Sequence, residues 1–245
     1  MKNTKFRKRF YRDFVTARKL HQKRIILKQT DLQIMTDKPL DEPFTVEKID
    51  NYRSEIEGYI NRDSRLLVAL KPIAVELNAP AIVRKMSEAA FLANVGPMAA
   101  VAGAVAEFLG RDLLKKGYKD VIVENGGDIF VKLRRPCKVG IYSGRSKVWN
   151  QFKLNIKPSD TPLGICTSSG TIGHSLSFGS ADAVIILAKT AYLADAVATA
   201  CANRVHSKKD LRLALDFAKS IKGVKAVVII MKKDMISWGK IEFTK

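Results

Sequence analysis

Asp120-Val-Ile-Val-Glu-Asn-Gly-Gly-Asp-Ile-Phe-Val-Lys-Leu133 is two short apolar runs around Asn125-Gly126-Gly127. Glycine readily takes the positive φ that a tight two-strand turn requires. The stretch therefore predicts an antiparallel hairpin, with strands over Asp120–Glu124 and Asp128–Leu133. Before it, Ala81–Lys116 is alanine-rich and reads as helix, interrupted at Asn94-Val-Gly-Pro97, where proline disfavours helix in the preceding residue and suits a first helical turn. Gly117 closes the second helix, Met98–Lys116, as a C′ glycine. Further upstream the patterning predicts strands over Tyr11–Lys19, Arg24–Lys28 and Leu32–Thr36, and an amphipathic helix over Val46–Ile60. Arg65–Leu70 reads as a buried strand stopped by Lys71-Pro72. Downstream come strands at Lys138–Ser143, Gln151–Ile156, Ala183–Ala188, Val224–Met231 and an edge strand over Ile236–Thr244. Helices are predicted at Thr190–Asn203 and Asp210–Ile221. Antiparallel hairpins mixed with long helices argue an α+β fold, antiparallel sheets packed against helices, rather than a doubly wound sheet. No linker or repeat divides the chain, so residues 1–245 read as one domain with a basic arm at Met1–Arg24.

The composition bounds the function. The chain has 245 residues, 47% of them hydrophobic and 27% charged, which suits a globular protein with a sizeable core. No apolar run reaches the roughly 18 residues of a membrane span, and the N-terminus lacks the apolar region of a secretory signal. Cys137, Cys166 and Cys201 are widely spaced, with no metal-type Cys-x-x-Cys pattern. Free thiols in a reducing cytoplasm are expected. The net charge of +19 is the compositional outlier, and the arm Met1–Arg24 holds ten Lys or Arg against Asp13. Phe6, Phe10, Tyr11 and Phe14 interleave with them. Basic residues with aromatics suit phosphates and stacked bases, so a nucleic-acid binder is one reading, the lesser one because no binding motif accompanies the arm. A homodimer is the default assembly.

A second stretch, Gly164–Phe178, concentrates chemistry. It carries Gly164, Gly170 and Gly173, the hydroxyls Thr167, Ser168, Ser169, Thr171, Ser175 and Ser177, and both Cys166 and His174. Glycines admit a ligand close to backbone, and hydroxyls bond it once there. A binding loop is expected, with Ser168, Ser169, Gly170 and Thr171 against the ligand and Cys166 and His174 as the reactive pair. The plain alternative is a serine-rich turn between strands, with Cys166 a small packing residue. Asp195 and Thr199 lie four apart on a predicted helix, so both oxygens share a face. That arrangement suits a hard cation such as Mg²⁺, although an aspartate near a helix start is common without one. Gly126 and Gly127 could present amides to an anion, with Asp128 orienting the ligand; a plain hairpin turn is the simpler account. Asp182 could serve the same purpose. His21 and His206 read as surface residues, Cys137 and Cys201 as packing thiols.

Taken together, Glu124–Asp128, His174 and Ala194–Thr199 resemble the Gly-Gly-Asp segment, the loop histidine and the Ala-Asp-Ala-x-x-Thr metal helix of the ApbE-like superfamily. Its best-known members are Mg²⁺-dependent flavin transferases that split FAD and attach FMN to a threonine of a partner protein. Gly96–Glu107 is similar to the helix before their glycine hairpin. The strings Val95-Gly-Pro-Met-Ala-Ala, Glu124-Asn-Gly-Gly-Asp and Cys166-Thr-Ser-Ser-Gly-Thr-Ile-Gly-His-Ser look closer to an uncharacterised archaeal and bacterial branch. The resemblance implies two T-fold-like halves, a flavin nucleotide or similar phosphorylated ligand, and Mg²⁺ at Asp195 and Thr199. The match has gaps: the family's helix lysine falls at Ala102, its following aspartate at Glu107, and its Asp-Pro after the histidine is replaced by Ser175–Phe178. Full flavin transfer is therefore not the expectation. The branch also carries an association with sulfur assimilation and homocysteine synthesis, which would make Cys166 a sulfur carrier or nucleophile with His174 as its base.

Overall fold

The computed structural model describes residues 15–16, 20–140, 149, 152–168 and 179–244. The expected hairpin is present. β4 (Val121–Asn125) and β5 (Asp128–Lys132) pair antiparallel with Asn125 opposite Asp128, leaving a two-residue turn. Gly126 and Gly127 both have positive φ, 71° and 110°, the combination a primed hairpin turn demands.

This hairpin lies inside an eight-stranded sheet of order β11-β10-β9-β8-β5-β4-β3-β2, antiparallel throughout. The other members are β2 (His21–Leu27), β3 (Thr30–Thr36), β8 (Leu163–Ser168), β9 (Ala183–Ala188), β10 (Val224–Met231) and β11 (Asp234–Gly239). A second sheet of order β1-β6-β7-β12 joins Val15–Thr16, Cys137–Gly140, Lys153–Ile156 and Phe243–Thr244. The chain thus runs hairpin, helices, hairpin twice in tandem. β2 and β3 with β4 and β5 enclose α1 (Glu42–Arg62), α2 (Arg65–Val68), α3 (Ala81–Ala93) and α4 (Val101–Lys115). β8 and β9 with β10 and β11 enclose α5 (Ala191–Ala202) and α6 (Leu211–Ser220). The two halves meet where β5 pairs with β8.

Both faces of the large sheet are covered. Leu32, Ile34, Val123, Phe130, Cys166, Val184, Ile186, Val227 and Ile229 join the helices in one core. Their strand neighbours Met35, Ile122, Ile129, Ile165, Ile185 and Val228 pack with Val139, Leu154 and Ile156 of the small sheet. That two-sided burial explains the unbroken apolar runs of β9 and β10, since alternation marks only strands with one wet face.

Local chemistry sets the helix ends. Asp41 caps α1 by accepting the Phe44 N–H at 3.1 Å, with Pro43 in the first turn. Its buried stripe is Thr45, Ile49, Tyr52, Ile56 and Tyr59, so the apolar face sits slightly rotated from the Val46 and Ile60 positions that the pattern suggested. After α4, Gly117 (φ 95°) and Tyr118 donate to Leu114 and Leu113 carbonyls, the expected glycine stop.

Two expectations fail. Arg65–Leu70 is not a strand: Arg65–Val68 forms one helical turn, started by the Asp63 carboxylate on the Arg65 N–H, and only Leu66 is buried. An apolar run of six residues without alternation does not distinguish strand from helix. Ile236–Thr244 is not one strand either. It divides at Gly239, whose φ of 95° and approach to Lys225 O suit only glycine, and its pieces join different sheets. Of the predicted Tyr11–Lys19 strand, Val15–Thr16 is described; the rest, like most of the basic arm, lies outside the described residues.

Candidate functional site

The site sits on the seam between the halves. Asp128 on β5 faces Cys166 on β8 as a direct cross-strand pair, so both side chains leave the same face of the sheet. α5 crosses that face. Gly164, two residues before Cys166, makes the crossing possible, since a Cβ there would lie 2.3 Å from the Ala191 nitrogen and the Thr190 carbonyl carbon. Asp195, one turn further along α5, then stands over Cys166 and Asp128. One ligand atom from each of the three side chains lies within 4.8 Å of the other two.

α4 closes the arrangement from the other side. Gly103 allows it to press on α5, because a Cβ there would sit 2.3 Å from Ala191 O and 2.9 Å from Asp195 Cβ. The first turn of α4 has no cap of its own, as Ala100 precedes it. Asp195 supplies the cap: its Oδ2 accepts the Gly103 N–H at 2.9 Å, and the Ala102 N–H also points to the carboxylate. The reverse contact exists too. α5 has no side-chain cap from Thr190, and Glu107 of α4 accepts the Ala191 N–H at 2.7 Å through Oε2 while Oε1 accepts from Arg111 at 2.7 Å. Each helix therefore caps the other.

Burial dominates the electrostatics. Asp195 is pushed well above the ordinary carboxylate range by burial and by Asp128, against the pull of the Gly103 and Ala102 amides. Asp128 is raised by burial, which outweighs the hydrogen bond from Cys166, and by Glu124. The Cys166 thiol is raised far above its usual value by burial and the two aspartates. Burial thus works against the thiolate that a nucleophile needs. Asp128 retains only 8% of its surface, and its Oδ1 has no hydrogen-bond partner.

Other predicted residues fall as follows. Thr199 is buried one turn beyond Asp195 on α5. Ser168 is buried at the end of β8, on the strand face of Cys166. The Gly127 amide does not face a ligand: it donates to Glu124 Oε1 at 2.9 Å. Asn125 ties the turn to α4 by donating to Ala102 O at 3.1 Å. Asp182 accepts the Lys232 N–H and steadies the β10–β11 turn. Cys137 and Cys201 are buried packing thiols, each raised to about 12 by burial. His21 and His206 are exposed. His174, Ser169, Gly170 and Thr171 lie outside the described residues. The sequence shows Glu107 as a departure from the family pattern, yet a lone carboxylate between Val101 and Leu109 on an otherwise apolar helix already signals a buried partner.

The comparisons agree with this architecture. A family model described as AbpE bacteria matches residues 13–237. The chain belongs to this ApbE-like family. It is 40% identical over 225 residues to a UPF0280 protein of Methanocaldococcus jannaschii, covering 90% of this chain and 91% of that one. A UPF0280 protein of Methanocella arvoryzae is 39% identical over 215 residues, 88% and 87% of the two chains. Among solved structures, the flavin transferase ApbE from Vibrio cholerae superposes with a TM-score of 0.60 at 15% identity, over 89% of this chain and 97% of that chain. The flavinyl transferase ApbE of Pseudomonas stutzeri, in its apo form, gives 0.59 at 11% identity, over 90% and 94%. At such identities the likeness shows the fold. Among the described residues no single helix is long and apolar enough to cross a membrane.

Proposed function

We propose that this chain binds a flavin nucleotide or a similarly phosphorylated ligand through a divalent cation held on the seam by Asp128 and Asp195. The observation that carries the reading is the unpartnered Asp128 Oδ1. A buried carboxylate oxygen without a donor costs several kcal/mol unless a cation or ligand completes it. A ligand atom of a second carboxylate lies within 4.8 Å of one on the first, and a cation between them would favour the ionised form that burial and neighbouring carboxylates oppose. When bound, such an ion would screen a diphosphate and polarise its oxygens. Thr199, one turn along the same helix, offers a further oxygen, as the family resemblance implies. Ser168 leads from the carboxylates into the Ser169–Phe178 run, where the sequence places His174 and the remaining hydroxyls.

Binding is proposed rather than flavin transfer. Ala102 stands where the resemblance expects a lysine. Glu107, where it expects an aspartate, is committed to Ala191 and Arg111. A Cys166-centred sulfur transfer gains no support from a thiol whose ionisation burial opposes, and nothing in the described residues favours nucleic acid: Lys23 and Arg24, at the end of the basic arm, pair with Glu42 and Asp31. The test is calorimetric titration of FAD, FMN and ADP into wild type and Asp195→Asn, with and without a divalent ion. The reading expects ion-dependent binding in wild type that the variant loses. Ion-independent binding, or binding unchanged in the variant, would contradict it.

A further inference from the structure

We infer that Asp128, Cys166 and Asp195 form a three-ligand site for a divalent transition-metal ion of the zinc type, with an open coordination position, rather than an all-oxygen magnesium site. The inference rests on the proposed function for the presence of an ion and goes beyond it in naming the ion's chemistry.

The donor set decides the matter. Mg²⁺ takes hard oxygen ligands in near-ideal octahedra and keeps several of its waters. Here one of the three ligand atoms, all within 4.8 Å of one another, is sulfur. A thiolate selects softer ions, and sulfur with carboxylate oxygens lies within the repertoire of zinc. All three side chains are buried, which leaves little room for the water shell that Mg²⁺ retains. The buried Asp128 Oδ1 without a hydrogen-bond partner is the independent sign of a missing ligand. Asp195 Oδ2 accepts the Gly103 N–H, and the Ala102 N–H is also directed at the carboxylate, so the helix start orients it over Asp128 and Cys166. That hydrogen bond is the kind of supporting contact metal ligands characteristically have.

The cluster is also built rather than incidental. β5 and β8 hold Asp128 and Cys166 in register, while Gly164 and Gly103 let α5 bring Asp195 down on them. Three protein ligands leave a zinc-type ion one position short of four, the arrangement of sites that take up water or substrate. On binding, the Cys166 S–H bond breaks, an ion–sulfur bond forms and the proton leaves to solvent. No oxidant or reductant is involved.

The experiment uses the metal-free full-length chain titrated with Co²⁺, followed by its absorption spectrum, and separately with Zn²⁺ and Mg²⁺ by calorimetry. The expected result is an ultraviolet thiolate-to-cobalt charge-transfer band that saturates at one ion per chain. Zn²⁺ should displace it and excess Mg²⁺ should not. Cys166→Ser should abolish the band and weaken Zn²⁺ binding on the order of tenfold or more. A Cys137→Ala/Cys201→Ala variant, which leaves Cys166 as the sole thiol, should keep the band, so the test stands even if Cys166→Ser does not fold. Co²⁺ binding without a sulfur band, or a band that survives Cys166→Ser, overturns this inference and leaves the proposed function intact. Failure of every divalent ion to bind wild type overturns both.

Discussion

The α4–α5 pair carries two buried carboxylates, one at each crossing, and they differ in how fully they are used. Glu107 caps α5 with one oxygen and meets Arg111 with the other. Asp195 caps α4 with one oxygen, but its neighbours are Asp128 and Cys166. Burial raises both carboxyls. At Glu107 the Ala191 amide and the Arg111 guanidinium oppose that rise; at Asp195 a second carboxylate adds to it. One end of the pair is thus closed with a cation the chain itself supplies, and the other is left short of positive charge. A fold selected only for stability has no reason to leave it so, since a second buried acid beside Asp195 opposes its ionisation without adding a bond. The contrast separates a structural clamp from a site within one helix pair.

Substitutions at four places separate the clamp from the site. The largest effect belongs to the glycines that make the crossing: Gly164→Ala and Gly103→Ala each place a methyl against backbone at 2.3 Å. Each should cost about 3 kcal/mol or more, read as a drop in the urea midpoint. Tolerance of both would mean that the helices do not cross as described. Next is Glu107→Ala, which leaves the Ala191 N–H buried without an acceptor and should lose about 2–3 kcal/mol. Loss of less than half that would remove the clamp from the account.

Asp195→Asn should behave in the opposite way. The amide oxygen still accepts from Gly103 while the buried charge disappears, so the metal-free variant should match or exceed wild-type stability by up to about 1 kcal/mol. It should also lose ion binding. A strongly destabilised Asp195→Asn would make the two carboxylates equivalent and erase the distinction. The smallest effect is expected from Arg111→Ala. Its side chain is 47% exposed, so loss of its ion pair should cost about 1 kcal/mol or less. A double-mutant cycle with Glu107→Gln would resolve it.

Much of the fold was legible because its signals are local. Asn125-Gly126-Gly127 specifies its turn through φ alone, Pro97 opens a 3-10 turn over Pro97–Ala100 that leads into α4 while Gly117 ends the helix, and the apolar runs of β9 and β10 read correctly because both sheet faces are covered. Arg65–Leu70 misled for want of periodicity, and Ile236–Thr244 because a single glycine moves the chain from one sheet to another. The site was legible only in pieces. Sequence alone gives Asp128, Cys166 and Asp195 three separate roles, as ligand orienter, nucleophile and magnesium ligand. Their meeting depends on β5 pairing with β8 past two strands that leave for the other sheet, and no local pattern encodes such a pairing. The turn alone presents the Gly127 amide as a ligand contact; in the structure it donates to Glu124 Oε1, a partner that the turn pattern does not encode.

Anomalous diffraction from crystals soaked in Zn²⁺ tests the seam most directly. A peak enclosed by Asp128, Cys166 and Asp195 is the result predicted, with the Asp128 oxygen that now lacks a partner among its ligands. Well-ordered crystals with no peak there, or with the ion bound elsewhere and this cluster unchanged, would show that the seam between the halves is packing and not a site.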